Sequence, residues 1–333
     1  MKPYFALVAL CACSVMLVSG QVAAPQPQQD VPWAYPVNPP PAPGTPPPAR
    51  GAAPPPDPAP QHLPGTDVAL TLAQTRNLFD IPDWYPTDHP ALPDVVQHGR
   101  RPDVRACGYC HLPNGQGRPE NASLAGLPVS YFLQQMADFK NGTRKSAEPR
   151  MGPPAAMIAV AKASTDEENR AAAEYFRSVT LKPWIRVVEA NTVPKTRIAA
   201  GMLAPAEPAG TEPVGARIIE VPEDLPRTEL RDSKSGFVAY VPVGSVKKGE
   251  VLATTGGSGR TVACTVCHGA DLKGLGPVPS IAGRSPSYLV RQLYDMQRGV
   301  RAGDWSPLMK AAVAKLTLDD LVSIGAYAAS RQP

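Results

Sequence analysis

Two five-residue stretches constrain this chain more than any other feature: Cys107-Gly-Tyr-Cys-His111 and Cys264-Thr-Val-Cys-His268. They hold four of its six cysteines, and the remaining two, Cys11 and Cys13, lie in an apolar run at the N-terminus. A disulfide framework would not need a histidine directly after each pair, and two intervening residues make a cramped loop for a structural bridge. The pattern therefore points to chemistry that uses thiols and imidazole together.

The two stretches are landmarks of an internal repeat. A shift of 157 residues overlays both motifs and also Gly117 on Gly274, Ala125-Gly126 on Ala282-Gly283, and Ser130-Tyr131 on Ser287-Tyr288. It continues with Gln135 on Gln292, Asp138 on Asp295, Gly142 on Gly299 and Arg144 on Arg301. Five extra residues then enter the first copy, after which Met157 matches Met309, Thr165 matches Thr317 and Tyr175 matches Tyr327. One constant offset over so many positions implies two homologous domains.

Each copy reads as helical. The stretches beginning at Tyr131 and Tyr288 space apolar residues three and four apart and stop at glycine. The last helix of each copy starts at Thr165 or Thr317, with an acid three residues on that completes a capping box. A shorter helix precedes each motif, and Gly99 and Gly249 within these predict a close crossing with the last helix at Tyr175 or Tyr327.

Residues 1–22 read as a secretory signal peptide: Lys2, an apolar run too short for a comfortable membrane span, then small residues. A retained anchor, or lipidation at Cys11 or Cys13, is the competing reading, and membrane association would be confined to such an uncleaved or lipidated N-terminus. Residues 23–66, rich in proline and alanine, predict an extended tether. The domains are then 67–185 and 240–333, joined by a segment at 186–239 in which 217–222 and 237–243 resemble short strands. Formal net charge is +4 with 43% hydrophobic residues, which allows a core and excludes a polybasic nucleic-acid binder.

Two thiols and a histidine in this order suit covalent attachment of heme: the thiols add to its two vinyl groups and the imidazole ligates iron. A shared zinc site would need the four thiols gathered from both copies, and a redox CxxC does not require the histidine. Two hemes c are the expectation, with Cys107, Cys110, Cys264 and Cys267 as attachment points and His111 and His268 as iron ligands. Met157 and Met309, eight residues before the capping threonines, are the candidate distal ligands that would close each site. Met151, inside the insertion, competes for the first heme. His62, His89 and His98 precede the motif and have no counterparts in the second copy. Arg144 and Arg301, paired with Tyr131 and Tyr288, are candidates to neutralise heme propionates.

With these motifs the chain resembles tandem class I cytochromes c, and most of all the diheme cytochromes c(4), over about residues 90–182 and 240–333. The resemblance implies a mainly α fold and the ligand set just named. It also implies that a proline carbonyl accepts the N–H of the proximal histidine. Pro279 matches that position, whereas the first copy has Ala122.

The expected function is single-electron transfer by an exported, periplasmic protein, with no catalytic residue. Its partners would be a redox donor and acceptor, with a dehydrogenase or terminal oxidase among the candidates and no nucleic acid. A fixed subunit of such a complex and a diheme peroxidase are the alternatives; a peroxidase needs one open heme, and the matched methionines argue against it. Residues 240–333 carry 11 Lys/Arg against 6 Asp/Glu, and 83–182 carry 12 against 11. An acidic partner is therefore expected on the second domain, with association that slows as salt rises.

Overall fold

The computed structural model describes residues 31–38 and 58–333. The signal-peptide and lipidation readings fall outside these residues. Two helical halves follow the repeat. The first contains helices Asp94–Gln97, Cys107–His111, Val129–Asn141, Gly152–Ala163 and Asp166–Ser178; the second contains Ser245–Thr255, Thr265–His268, Pro286–Gln297, Ser306–Val313 and Leu318–Ser330. Among the described residues no helix is long and apolar enough to cross a membrane.

The last helix of each half starts where expected. Thr165 Oγ1 accepts from the Glu168 amide at 3.2 Å while the Glu168 carboxylate accepts from the Thr165 amide at 2.8 Å. Thr317 and Asp320 repeat this at 3.2 and 2.9 Å. Asp320 also pairs with Arg260 at 2.8 Å and Lys248 at 2.7 Å. Burial would raise its pKa, but these cationic and amide donors outweigh it and hold the carboxyl down at about 2. A lowered native pKa stabilises the fold above the unfolded value, near 3.8, and that stability is lost as pH falls toward 2. Asp320→Asn is therefore expected to cost about 2 kcal/mol at neutral pH, and much less near pH 2, in denaturant unfolding. An equal cost at both pH values would contradict the assignment.

The two glycines before the motifs do different jobs. Gly249 allows the expected crossing: a Cβ there would lie 1.9 Å from the Ser323 carbonyl oxygen and 2.7 Å from Tyr327 Cβ. Gly99 instead has φ +64°, and its amide donates to the Asp94 carbonyl, so it ends the four-residue helix Asp94–Gln97. A Cβ there would meet the Val104 carbonyl oxygen at 2.2 Å, so its close neighbour is the segment leading into the motif and not the last helix.

Residues 186–239 are ordered and embedded in both halves. Ile185–Glu189 runs parallel to Phe237–Val241, which pairs antiparallel with Ile219–Pro222. Ala239 and Val241 of the sheet, with Ile218 just before the strand Ile219–Pro222, share a core with Leu321, Val322 and Ile324 of the last helix. Buried Glu220 ties it to the helix Pro286–Gln297 by accepting from Ser285 and Ser287 hydroxyls at 2.8 and 2.6 Å.

Part of the stretch read as a tether is packed. Val31, Ala34 and Tyr35 are buried in the core of the second half. Tyr35 donates to Asp295 at 2.7 Å, and Arg291 donates to the Ala34 carbonyl at 2.8 Å. Pro60–His62 pairs with Ala69–Thr71 as a short hairpin. Proline sets the backbone of these stretches, but the aromatic and aliphatic side chains between the prolines decide that they are buried.

Candidate heme sites

Each motif forms one turn of helix, which places both cysteines and the histidine on the same side. His111 Nδ1 donates to the Ala122 carbonyl and His268 Nδ1 to the Pro279 carbonyl, both at 2.8 Å. The donor assignment follows from the carbonyl, which can only accept. Alanine serves as well as proline because the contact is made by main chain. This bond fixes the tautomer and leaves Nε2 unprotonated, the form that ligates a metal. Burial pushes His111 down to about 4 and also lowers His268, against the smaller opposing effect of the carbonyls.

The thiols are not disulfide-bonded. Burial pushes Cys107 up to about 12 and Cys264 up to about 11, far from thiolate chemistry near neutral pH. No group of three or more His, Cys, Asp or Glu side chains is gathered as a metal ion would require, among the described residues. The two motifs therefore do not meet in a shared zinc site.

Both motifs open on a continuous cavity of about 1310 Å³, which is also lined by Met157 and Met309. Met157, on the helix Gly152–Ala163, packs against the core of the first half, and Met309 against that of the second. Met151 also reaches the cavity wall, but it is fully buried with Tyr35, Met296 and Leu316 in the second half's core. His62 lies on the hairpin strand Pro60–His62, His98 pairs with Asp80 at 3.1 Å, and His89 with Asp83 at 3.1 Å. None of these three lines the cavity.

Between the motifs the repeat produces a cross-connected cluster. Arg144 donates to Tyr288 Oη at 2.9 Å, Gln292 Oε1 at 3.0 Å and Gln135 Oε1 at 2.8 Å. Arg301 mirrors it, donating to Tyr131 Oη at 2.9 Å, Gln135 Oε1 at 2.9 Å and Gln292 Oε1 at 3.0 Å. The arginines also meet through a main-chain bridge. Arg284, equally buried, donates to the carbonyls of Ser123, Ala125 and Ser280. With Arg291, which donates to the Ala34 and Pro119 carbonyls, four buried cations line the cavity with only neutral hydrogen-bond partners. Buried charge is costly without a counter-charge, so the wall fits a ligand carrying carboxylates.

Sequence reasoning found the arginine–tyrosine pairs but placed each within its own copy, whereas the structure crosses them. Gln135 and Gln292 were visible as repeat matches without an assigned role. Arg284 had no such signal, because its match in the first copy is Leu127.

No family profile matches the chain. Cytochrome c4 of Azotobacter vinelandii is 25% identical over 228 residues, covering 66% of this chain and 82% of that protein. A thiosulfate dehydrogenase electron acceptor of Stutzerimonas stutzeri is 26% identical over 239 residues, covering 71% of this chain and 83% of that protein. Cytochrome c-554(548) of Halomonas halodenitrificans is 32% identical over 77 residues, 23% of this chain and 93% of that protein. Among solved structures, reduced cytochrome c4 of Pseudomonas stutzeri matches 68% of this chain and 93% of its own at 22% identity, with a TM-score of 0.45. Paired helical halves, paired motifs and the three relatives matched by sequence lead to one conclusion: the chain belongs to the c-type cytochromes, is built of tandem cytochrome c domains, and resembles the diheme cytochromes c4 concerned with electron transfer.

Proposed function

We propose that the chain is an exported, periplasmic electron carrier with two covalently attached hemes, one ligated by His111 and Met157 and the other by His268 and Met309. The observation that carries this reading is the pair of histidines held by carbonyls at 2.8 Å, each beside two cysteines and facing a cavity that a methionine of its own half also lines. Bound heme would supply one-electron chemistry between ferric and ferrous iron. The protein's part is to orient the imidazoles, to seal the distal side with thioether sulfur, and to offset propionate charge with Arg144, Arg284 and Arg301.

Met157 is preferred to Met151 because the side chain of Met151 is already committed to the core of the other half. The likeness to an electron acceptor of thiosulfate dehydrogenase favours a dehydrogenase as the electron donor.

Absorption spectra test the ligation. The oxidised protein is expected to show the sulfur-to-iron charge-transfer band of methionine-ligated heme. That band should fall by about half in Met157→Ala or Met309→Ala and vanish in the double variant. A wild-type protein without the band, or a Met151→Ala variant that loses half of it while Met157→Ala does not, would overturn the assignment.

A further inference from the structure

The two motif edges are related by the repeat but differ in what covers them. The loop after the first motif, 113–120, is buried at every position except Asn114. The equivalent loop, 270–277, is exposed at every position except Leu272 and Gly274. Arg118 is 4% exposed, while Leu275 at the matching position is 61% exposed. Tyr109 and Cys110 are partly covered, whereas Val266 is 66% exposed and Cys267 is exposed as well.

The cover is residues 228–235, which have no counterpart over the second motif among the described residues. Asn114 donates to the Ser233 carbonyl at 2.6 Å, Gln116 to Ser235 at 2.9 Å and Arg118 to Thr228 at 3.3 Å. Arg231 donates to the Tyr109 carbonyl at 2.7 Å, and its guanidinium lies 3.5 Å from the centre of the Tyr109 ring. The cover is pinned from behind: Trp84 donates to the Leu230 carbonyl at 2.8 Å, and Lys234 pairs with Asp88 at 2.8 Å. Main-chain acceptors and a stacked arginine make it a packed layer.

We propose that residues 228–235 close the thioether edge of the first heme to protein partners. The edge of the second heme, framed by Val262, Val266 and Leu275, is then the port through which a redox protein exchanges electrons, and the first heme fills and empties through the second. This rests on the two-heme reading above. A covering layer keeps a partner's cofactor farther away, and electron transfer slows steeply with separation. Val266 and Leu275 lie outside the cavity wall, so a heme seated in the cavity leaves them exposed. The partner that fits has an apolar centre and an acidic rim, opposite these side chains and the exposed Lys273 of the same loop, on a half that carries 11 Lys/Arg against 6 Asp/Glu.

The test uses the full holoprotein, reduced soluble cytochrome b5 as an acidic protein donor, and hexaammineruthenium(II) as a small one. In Val266→Glu/Leu275→Glu, cytochrome b5 should bind about tenfold more weakly. Its reduction of both hemes should slow together by at least about tenfold, while reduction by the ruthenium dication, which two added carboxylates can only attract, should not slow. Binding-induced amide shifts in the wild type should centre on 262–278 and spare 105–120. Half of the heme absorbance change keeping its wild-type rate would overturn the proposal, as would shifts centred on the first motif or unchanged binding. A purified chain without covalent heme bands would instead overturn the two-heme reading.

Discussion

Gly249→Ala is expected to destabilise the second half by about 3 kcal/mol, near the upper end of what overpacking costs. The added methyl carbon would sit 1.9 Å from the Ser323 carbonyl oxygen and 2.7 Å from Tyr327 Cβ. Neither neighbour can yield locally. The first is main chain in the interior of the helix Leu318–Ser330, and the second is the root of a buried ring. Relief requires the two helices to separate, which would loosen the core that packs Val322 and Ile324 beneath the sheet. Gly152→Ala is the control. It lies at the start of the helix Gly152–Ala163, where a Cβ meets nothing within 4 Å, and alanine there should be neutral or slightly stabilising. Denaturant unfolding of the two variants checks the contrast; equal stabilities would show that the helices do not cross as closely as described.

The close approach at Gly249 was legible in the sequence because a glycine falls in the helical stretch before the motif and the repeat matches a tyrosine, Tyr175 or Tyr327, in the last helix of each copy. The same reasoning failed at Gly99, where an identical residue type meets a shorter helix and the local need is a left-handed turn. Proximal contacts to Ala122 and Pro279 illustrate the complementary point: a main-chain carbonyl is blind to side-chain identity, so the departure from proline carried no structural penalty. What could not be read was anything that repeats only once. Residues 228–235 have no partner copy to reveal them, and their hold on the first motif runs mostly through carbonyl oxygens that leave no compositional trace. Burial of Val31–Tyr35 was hidden for a different reason. Proline-rich composition predicts an extended backbone, but whether that backbone docks depends on three or four apolar side chains and on Arg291 and Asp295, some 260 residues away.

Charge in the central cluster gives the second large expected effect. Arg144 and Arg301 each bond both Gln135 and Gln292, so the four side chains form one network in which no bond belongs to one arginine alone. Residues that share partners do not contribute additively. Arg144→Gln or Arg301→Gln singly should leave the remaining arginine able to hold both glutamines. The double variant removes both cations and every side-chain bond that they make between the halves, leaving only the main-chain bridge, so its cost should exceed the sum of the singles by about 1 kcal/mol or more. The same substitutions carry an electronic signature that a purely structural role would not produce. Positive charge beside a heme favours the ferrous state, so each lost guanidinium should lower the midpoint potentials by on the order of 1 kcal/mol, about 40 mV for one electron. Because each arginine reaches across to a tyrosine of the other half, a single substitution should move both potentials. Spectroelectrochemical titration of the singles and the double checks this. Potentials that stay in place while stability falls would reduce the cluster to a clasp between the halves, and a shift in one heme alone would mean that each arginine serves only its own site.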